Sequence, residues 1–210
     1  MTGQPLFSAQ NIVIYRGESP LINGISMSVS AGEMVQVIGS NGAGKTTLLQ
    51  GLCGLLPLDD GELYWQGEPM NYQHRQRFHQ HLVYVGHKPG IKMELSPLEN
   101  LAVDVALSGA PPELAPAALD ALGLTDKSEL PCRVLSAGQR RRVALSRLLV
   151  RQQANLWILD EPYTALDAPG RQQVDTMMEN HLTGGGSILC TSHQTVSLNA
   201  GLTRHLDISA

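Results

Sequence analysis

The sequence "GSNGAGKT", residues Gly39–Thr46, carries the strongest indication of the fold. It fills every fixed position of the pattern G-x-x-x-x-G-K-S/T. The apolar run "MVQVI", Met34–Ile38, precedes it, and a helix-like segment from Lys45 follows it, which is the strand–loop–helix context that the pattern requires. Glycine backbones can wrap an anion with inward N–H groups, and a helix N-terminus adds positive charge. The stretch therefore predicts a phosphate-binding loop.

The predicted phosphate contacts cover this loop and the first turn of the helix. They are Gly39, Ser40, Asn41, Gly42, Ala43, Gly44, Lys45, Thr46 and Thr47. Lys45 is predicted to reach the β- and γ-phosphates and to serve catalysis, and the Thr46 hydroxyl is predicted to bind Mg²⁺.

"LWILDEP", Leu156–Pro162, supplies the second half of the predicted site. Its continuous apolar run is typical of a parallel strand covered on both faces. Asp160 ends that strand, at the edge where open α/β sheets place their ligands, and is predicted to hold the metal ion. Glu161 follows it and is predicted to orient and polarise an attacking water.

The order of patterns along the chain predicts the fold class. Alternating strand-like segments come first, mainly helical sequence fills the middle from Ser96 to Arg151, and strands and helices return afterwards. We expect an α/β core of the P-loop NTPase type with an antiparallel β subdomain and an inserted helical subdomain at about residues 88–151. A length of 210 residues favours a single domain, residues 1–210.

Composition excludes several classes of protein. A net charge of −4 gives no indication of nucleic-acid binding. No apolar run reaches the length of about 18 residues that a membrane helix needs. The first ten residues have neither the positive charge nor the apolar core of a secretory signal. Three widely spaced cysteines favour reduced thiols in the cytosol, and Cys190 is expected in the core.

Four motifs in a fixed order go beyond a generic phosphate-binding loop. They are "LSAGQ" at Leu135–Gln139, "LWILDEP", "TALD" at Thr164–Asp167 and "TSH" ending at His193. This set resembles the nucleotide-binding subunits of ABC transporters over nearly the whole chain. The resemblance implies ATP and Mg²⁺ as cofactors, ATP hydrolysis as the activity, and a head-to-tail dimer with a second copy of the chain.

In such a dimer, the signature turn of one copy covers the γ-phosphate of ATP bound by the other. The resemblance assigns Ser136, Gly138 and Gln139 to that contact, and a helix from Arg140 to Val150 adds a positive dipole end. It places Asp167 at the dimer seam, His193 at the γ-phosphate and attacking water, and Tyr15 against adenine. Without the resemblance, His193 could be a surface histidine and Tyr15 a strand residue packed on the sheet.

Three positions raise questions of their own. Where the family usually has glutamine, this chain has His87, which we expect to fill the metal-site role as a neutral imidazole. Ala137 replaces a glycine of the common signature, which makes a left-handed backbone there less favourable. The arginines of the run Arg140–Arg142 are expected to be solvated or paired with acids rather than to bind phosphate.

Within the family, "GHKPGIKMELSPLENL", "LPCRVLSAGQRRRVALSRL" and "LWILDEPYTALD" resemble the branch that serves haem export in bacterial cytochrome c maturation. That resemblance implies integral membrane subunits, a peripheral position on the cytoplasmic face of the inner membrane, and coupling to haem export or haem-chaperone release. No direct haem site is predicted. The histidines of "HRQRFHQH", His74–His81, complete no ligand pattern and are expected on a polar surface.

Other functions remain open at this point. The chain could be the ATPase subunit of another ABC transporter, or a soluble ABC-type ATPase of DNA repair or translation. No sustained heptads separate Lys45 from Asp160, and only one cassette is present, which argues against the soluble types. A small-molecule kinase would leave "LSAGQ", "TALD" and His193 unexplained.

Overall fold

The computed structural model describes residues 4–192, 196, 198 and 201–209. Within that part of the chain, nine strands form two sheets, one parallel and one antiparallel. The strands are β1 (Phe7–Arg16), β2 (Ser19–Val29), β3 (Glu33–Ile38), β4 (Asp60–Trp65), β5 (Glu68–Pro69), β6 (Leu82–Val85), β7 (Leu156–Asp160), β8 (Ser187–Thr191) and β9 (Leu202–Asp207). The α-helices are α1 (Lys45–Leu52), α2 (Tyr72–Gln80), α3 (Pro97–Ser108), α4 (Leu114–Ala121), α5 (Ala137–Val150) and α6 (Ala168–Thr183). Two short 3₁₀ turns lie at Thr125–Lys127 and Cys132–Val134.

The parallel sheet places the two halves of the predicted site at one edge. Its strand order is β6-β7-β8-β3-β9, and β8 pairs in parallel with both β3 and β7. All five residues of β7 are buried, as expected for a strand covered on both faces. The carboxyl ends of β3 and β7 are therefore one strand apart, so the loop after Ile38 and the acids after Leu159 face the same side.

The antiparallel sheet has the order β2-β1-β4-β5 and packs on the other side of α1. Leu48, Leu49 and Leu52 of α1 belong to one buried cluster that also contains Ile12 of β1 and Val35 of β3. Burial of such side chains contributes roughly 2 kcal/mol each. The helix that follows the phosphate-binding loop is thus held from both faces, which fixes the direction of its N-terminus.

The helices α3, α4 and α5 pack around a cluster of their own. It contains Leu101 and Val105 of α3, Leu119 of α4 and Val143 of α5, all buried. A Ser96–Glu99 capping box and Pro97 begin α3. The other face of α5 contributes residues to the core of the parallel sheet, so this helix connects the helical layer to the sheet.

The fold agrees with the expected class, an α/β core with antiparallel strands and inserted helices. The boundaries differ in places. The stretch "SGAPPELAP", Ser108–Pro116, is rich in glycine and proline and predicts a loop, but it already contains the first turn of α4. Cys190 is fully buried, as expected, and burial raises the pKa of its thiol to about 12.

Candidate functional site

The phosphate-binding loop joins β3 to α1 and depends on its glycines. Gly42 and Gly44 have φ angles of 87° and 95°, in the left-handed region that favours glycine. A Cβ at Gly44 would also lie 2.9 Å from Ile22 Cδ1 and 3.0 Å from Leu21 Cγ. Both the backbone conformation and the packing of the loop on β2 therefore require glycine at position 44.

Lys45 begins α1, and its side chain lies over the loop. Its Nζ donates hydrogen bonds to the carbonyl oxygens of Gly39, at 2.7 Å, and Ser40, at 3.0 Å. A second loop contact, from Ala43 N to Ser40 O at 3.2 Å, closes the turn. The ammonium group is thus held where the backbone N–H groups of the loop and the N-terminus of α1 converge.

The Asp160 carboxylate lies between two hydroxyl groups. Thr46 Oγ1 donates to Asp160 Oδ2 at 2.7 Å, and Thr191 Oγ1 donates to Asp160 Oδ1 at 2.7 Å. Asp160 is 1% exposed, so its carboxylate is fixed by these bonds rather than by water. The contact with Thr46 joins the end of β7 to the first turn of α1, across the intervening strand.

Glu161 has an uncommon backbone conformation for a residue with a side chain. Its φ is 51°, and such left-handed geometry is often found at functional sites, where the surrounding structure holds it. The Glu161 N–H donates to Thr191 Oγ1 at 2.9 Å. The Thr191 hydroxyl, fully buried at the end of β8, therefore positions both acids at once.

A cleft of about 380 Å³ brings the two halves together. Most of the predicted phosphate and metal residues line it, together with residues that the sequence motifs do not indicate. Its lining is Arg16, Leu21, Asn41, Gly42, Gly44, Lys45, Thr46, Thr47, His87, Asp160 and Glu161. Arg16 and Leu21 come from the β1–β2 hairpin, and only their position in the fold could identify them.

Of two further residues assigned through the resemblance, one lies next to the cleft and the other is not among the described residues. Tyr15 is half-exposed and adjoins the cleft residue Arg16, but it does not line the cleft itself. His193 lies outside the described residues. The segment leading to it ends at Ser192, directly after the buried Thr191 of β8.

The signature turn begins α5, away from this cleft. Ser136 is the N-cap, and it forms a capping box in which its Oγ accepts from Gln139 N and Gln139 Oε1 accepts from Ser136 N. Ala137 is already helical, so the methyl group that replaces a glycine there causes no backbone strain. Ser136 and Ala137 are exposed.

Gly138 is needed for contacts inside the chain. A Cβ at this position would lie 2.7 Å from the carbonyl oxygen of Ala165, which has a φ of 64° in the "TALD" loop. The absence of a side chain at Gly138 thus allows the loop after β7 to pass close to the first turn of α5.

Asp167 follows that loop as the N-cap of α6, where its side chain accepts a hydrogen bond from Gly170 N. A hydrogen bond from Arg142 lowers the pKa of the exposed Asp167 carboxyl.

The expectation that the three arginines are solvated or paired with acids is wrong for Arg141. Arg142 pairs with Asp167, and Arg140 donates to the carbonyl of Leu135. Arg141 is 2% exposed, and its hydrogen bonds run to backbone carbonyls of the loops after β6 and β7. Three identical letters in the sequence thus have three different surroundings, because successive helix positions point in different directions.

The histidines around α2 bond to the backbone. The ring nitrogens of His74, His79 and His81 lie 2.9–3.1 Å from the carbonyl oxygens of Pro69, Cys53 and Gln153. Among residues 4–192, 196, 198 and 201–209, no group of three or more histidine, cysteine or acidic side chains has the arrangement of a metal site. Within the same part of the chain, no helix is both long and apolar enough to cross a membrane.

Comparisons with known proteins identify the family of the chain. The family model described as ABC transporter matches residues 22–164. The chain is 45% identical over 212 residues to the cytochrome c biogenesis ATP-binding export protein CcmA of Hahella chejuensis, covering 100% of this chain and 99% of that protein. It is 46% identical to the CcmA protein of Nitrosococcus oceani, covering 99% and 94% of the two chains.

Solved structures of cassettes share the fold. The ATP-binding cassette MJ0796, a dimer in a post-hydrolysis state bound to ADP and Pi, matches with a TM-score of 0.80 and 20% identity over 90% of this chain and 88% of that one. A nucleotide-free cassette from an ABC transporter matches with a TM-score of 0.75 and 25% identity, covering 90% and 82%. The chain belongs to the ABC transporter family, and it is one of that family's ATP-hydrolysing subunits.

Proposed function

We propose that this chain powers haem export or haem-chaperone release in bacterial cytochrome c biogenesis. The observation that carries the proposal is whole-length similarity at 45% identity to a protein named for ATP-dependent export in cytochrome c biogenesis. A similarity that extends from end to end includes the helical layer as well as the nucleotide motifs. The coupled substrate, haem or a haem-carrying chaperone, follows from the branch that the sequence resembles.

In the proposed reaction, the loop residues and Lys45 hold the phosphates of ATP. Lys45 Nζ exchanges its bonds to the carbonyls of Gly39 and Ser40 for bonds to phosphate oxygens, which carry more charge. Glu161 orients the attacking water and draws a proton from it, and His193 contacts the γ-phosphate. The left-handed backbone of Glu161 directs this residue away from the strand and into the cleft.

The residues present fit Mg²⁺. The Thr46 hydroxyl and the Asp160 carboxylate already lie within 2.7 Å of each other, and both are oxygen ligands of the kind this ion takes. Mg²⁺ usually has one or two protein ligands with substrate phosphates and water, so a site without a larger acidic cage suits it. The ion would neutralise charge on the β- and γ-phosphates. His87, the third assigned ligand, also lines the cleft.

The separation of the signature turn from the cleft supports a head-to-tail dimer. Ser136 is exposed at the start of α5, and no signature residue lines the cleft around Lys45. In the proposed dimer, Ser136, Gly138 and Gln139 of one copy cover the γ-phosphate bound by the other, and Asp167 lies at the seam. The positive end of α5 then faces the phosphate charge.

We further propose that residues 1–210 form one nucleotide-binding domain, whose helical subdomain covers about residues 88–151. That subdomain has its own buried cluster, and Val103 and Leu107 of α3 are exposed on it. Exposed apolar side chains of this kind suit a contact with membrane-embedded partner subunits. The chain would then be a peripheral protein on the cytoplasmic face of the inner membrane.

The test is complementation of a strain that lacks the gene. Wild-type chain should restore holo-cytochrome c, whereas Lys45→Ala should not, because the phosphates lose their charged partner. Immunoblots should show both proteins at equal abundance in the membrane fraction. Normal holo-cytochrome c in the deletion strain, with loss of a different transported compound, would overturn the proposed role but leave the ATPase activity intact.

A further inference from the structure

Arg141 is a buried cation to which none of the sequence motifs assigns a role in the site. It lies in the second turn of α5, the helix that begins with the signature turn, and is 2% exposed. Burial lowers the pKa of its guanidinium to about 10, while the charges of Asp160 and Glu161 oppose that shift. The side chain therefore remains a cation at neutral pH, in a place where an uncompensated charge would be costly.

Its partners are all backbone carbonyl oxygens among the described residues. Nη2 donates to the carbonyls of Asp160, at 2.9 Å, and Glu161, at 2.8 Å. Nε donates to the carbonyl of Pro162 at 3.1 Å. One guanidinium thus binds three successive peptide groups, at the point where the chain leaves β7 in the left-handed conformation of Glu161.

The fourth bond reaches a different loop. Arg141 Nη1 donates to the carbonyl oxygen of Gly86 at 2.6 Å, and Gly86 directly precedes His87. The rigid fork of a guanidinium can hold several acceptors at fixed angles, which an ammonium group or an amide cannot reproduce. The two loops that bring Glu161 and His87 into the cleft are therefore connected through one side chain of α5.

We propose that Arg141 is a positioning residue for ATP hydrolysis, which sets the places of Glu161 and His87 relative to the signature helix. It acts through the backbone of these residues and contacts neither ATP nor the attacking water. Because α5 begins with the turn assigned to the partner's nucleotide, Arg141 also makes the geometry of the hydrolytic residues depend on where that helix lies. The inference rests on the roles proposed for Glu161 and His87.

The primary test compares Arg141→Gln with Arg140→Gln in the full chain. The two substitutions remove the same charge from adjacent positions, but Arg140 donates to the carbonyl of Leu135, just before its own helix, and to no loop that lines the cleft in the described part of the chain. We expect Arg141→Gln to lower kcat by about 100-fold while the Kd for MgATP changes less than about threefold. Arg140→Gln should leave both within about twofold of wild type. Equal kcat for Arg141→Gln and wild type would overturn the proposal.

A fold defect must be told apart from misplacement. Thermal melts followed by circular dichroism give the temperature range in which each variant is folded, and urea unfolding gives its free energy of unfolding. Kinetics are measured only within that temperature range. If Arg141→Gln does not fold, Arg141→Lys is compared with wild type instead, because lysine retains the positive charge but lacks the planar guanidinium group. It should lower kcat by about tenfold. A matched loss of MgATP affinity and kcat in the folded variant would indicate a structural role alone and contradict positioning.

A double-mutant cycle asks whether Arg141 acts through Glu161. In the Glu161→Gln background, the residual turnover should fall by about tenfold or less on adding Arg141→Gln, because one of the two residues that Arg141 positions has already lost its function. A further fall of about 100-fold would mean independent effects and would refute the inference. Should Glu161→Gln alone hydrolyse ATP like wild type, the proposed role of Glu161 fails instead, so the two failures are distinguishable.

Discussion

At the scale of the residue, the buried hydroxyl of Thr191 connects the two acids of the site. It donates to Asp160 Oδ1 and accepts from Glu161 N, and the side chain is fully buried. Thr191 begins the "TSH" motif, but the motif gives no sign of either contact, because Thr191 ends β8 whereas Asp160 ends β7 and Glu161 follows it. Parallel pairing of Asp160 with Thr191 brings them together.

Thr191→Val should therefore lower both stability and activity. It retains the shape of threonine but leaves a buried carboxylate oxygen and a backbone N–H without their partner, at a cost of about 2 kcal/mol in the free energy of unfolding. We expect kcat to fall by about tenfold or more, since Asp160 and Glu161 lose their common anchor. Thr191→Ser retains the hydroxyl and should remain within about threefold of wild type. Urea unfolding and steady-state ATPase assays test both, and equal behaviour of the valine and serine variants would contradict this role.

Gly138 offers a second test at this scale. Gly138→Ala would place a methyl group 2.7 Å from the Ala165 carbonyl oxygen, so the entrance of α5 and the "TALD" loop must separate. We expect a loss of about 1–3 kcal/mol in the free energy of unfolding. The control is Ala137→Gly, one residue earlier and exposed, which should cost less than about 1 kcal/mol. A Gly138→Ala variant as stable as wild type would show that the close approach has no energetic weight.

At the scale of the element, β7 and α6 are joined by an aromatic contact outside the nucleotide cleft. Trp157 of β7 and His181 of α6 stack with ring centroids 3.8 Å apart and planes 8° apart. Burial lowers the pKa of His181 from 6.5 to about 4, against the weaker effect of its hydrogen bonds to backbone carbonyls. The His181 imidazole is thus mostly neutral in the folded chain at any pH well above about 4.

This contact predicts how stability depends on pH. Between pH 6.5 and about 4 the unfolded chain protonates His181 and the folded chain does not, so protons favour unfolding. The contribution is fully present above pH 6.5 and is lost as pH falls toward 4, with a slope of up to about 1.4 kcal/mol per unit. His181→Phe removes the titration and retains a ring. As the pH is lowered from 6.5 toward 4, the wild type should lose free energy of unfolding relative to His181→Phe. A difference between the two proteins that does not change with pH in urea unfolding would refute the prediction.

Some elements were predictable from sequence, and others depended on distant partners. The strand before Gly39, the strand before Asp160 and the helix from Ala137 follow local patterns of apolar residues, glycine and caps. The edge strand β9, Leu202–Asp207, has no such pattern and forms because β3 offers it a parallel partner. The polar helix α2 buries only Phe78, which stacks on Phe7 of β1 at 5.5 Å.

The residues of the candidate site also fall into those that the local sequence predicts and those that depend on distant partners. The phosphate loop and the two acids were predictable because each lies in one short stretch with its own chemistry. Arg16, Thr191 and Arg141 were not, because their roles depend on which segments meet. Arg141 reaches Gly86 from 55 positions away in the chain. Three arginines in a row give no sign of which one points inward.

At the scale of the whole molecule, the proposed dimer requires two half-sites on each chain. The cleft around Lys45 and Asp160 lies at the edge of the parallel sheet, and the exposed Ser136 begins a helix elsewhere on the surface. We propose that ATP brings the half-sites of two copies of this chain together.

Disulfide trapping between two different variants measures this most directly. Ser136→Cys in one copy and Asn41→Cys in the other, both with Glu161→Gln to slow hydrolysis, are produced together in cells with the native membrane partners. The native cysteines Cys53, Cys132 and Cys190 are buried and should not interfere. Asp126→Cys, exposed in the helical layer, replaces Ser136→Cys as the control. We expect a cross-linked dimer of the Ser136→Cys and Asn41→Cys chains that forms with MgATP and not without it. Cross-linking that does not depend on ATP, or that is equally efficient when Asp126→Cys replaces Ser136→Cys, would contradict the proposed ATP-dependent dimer.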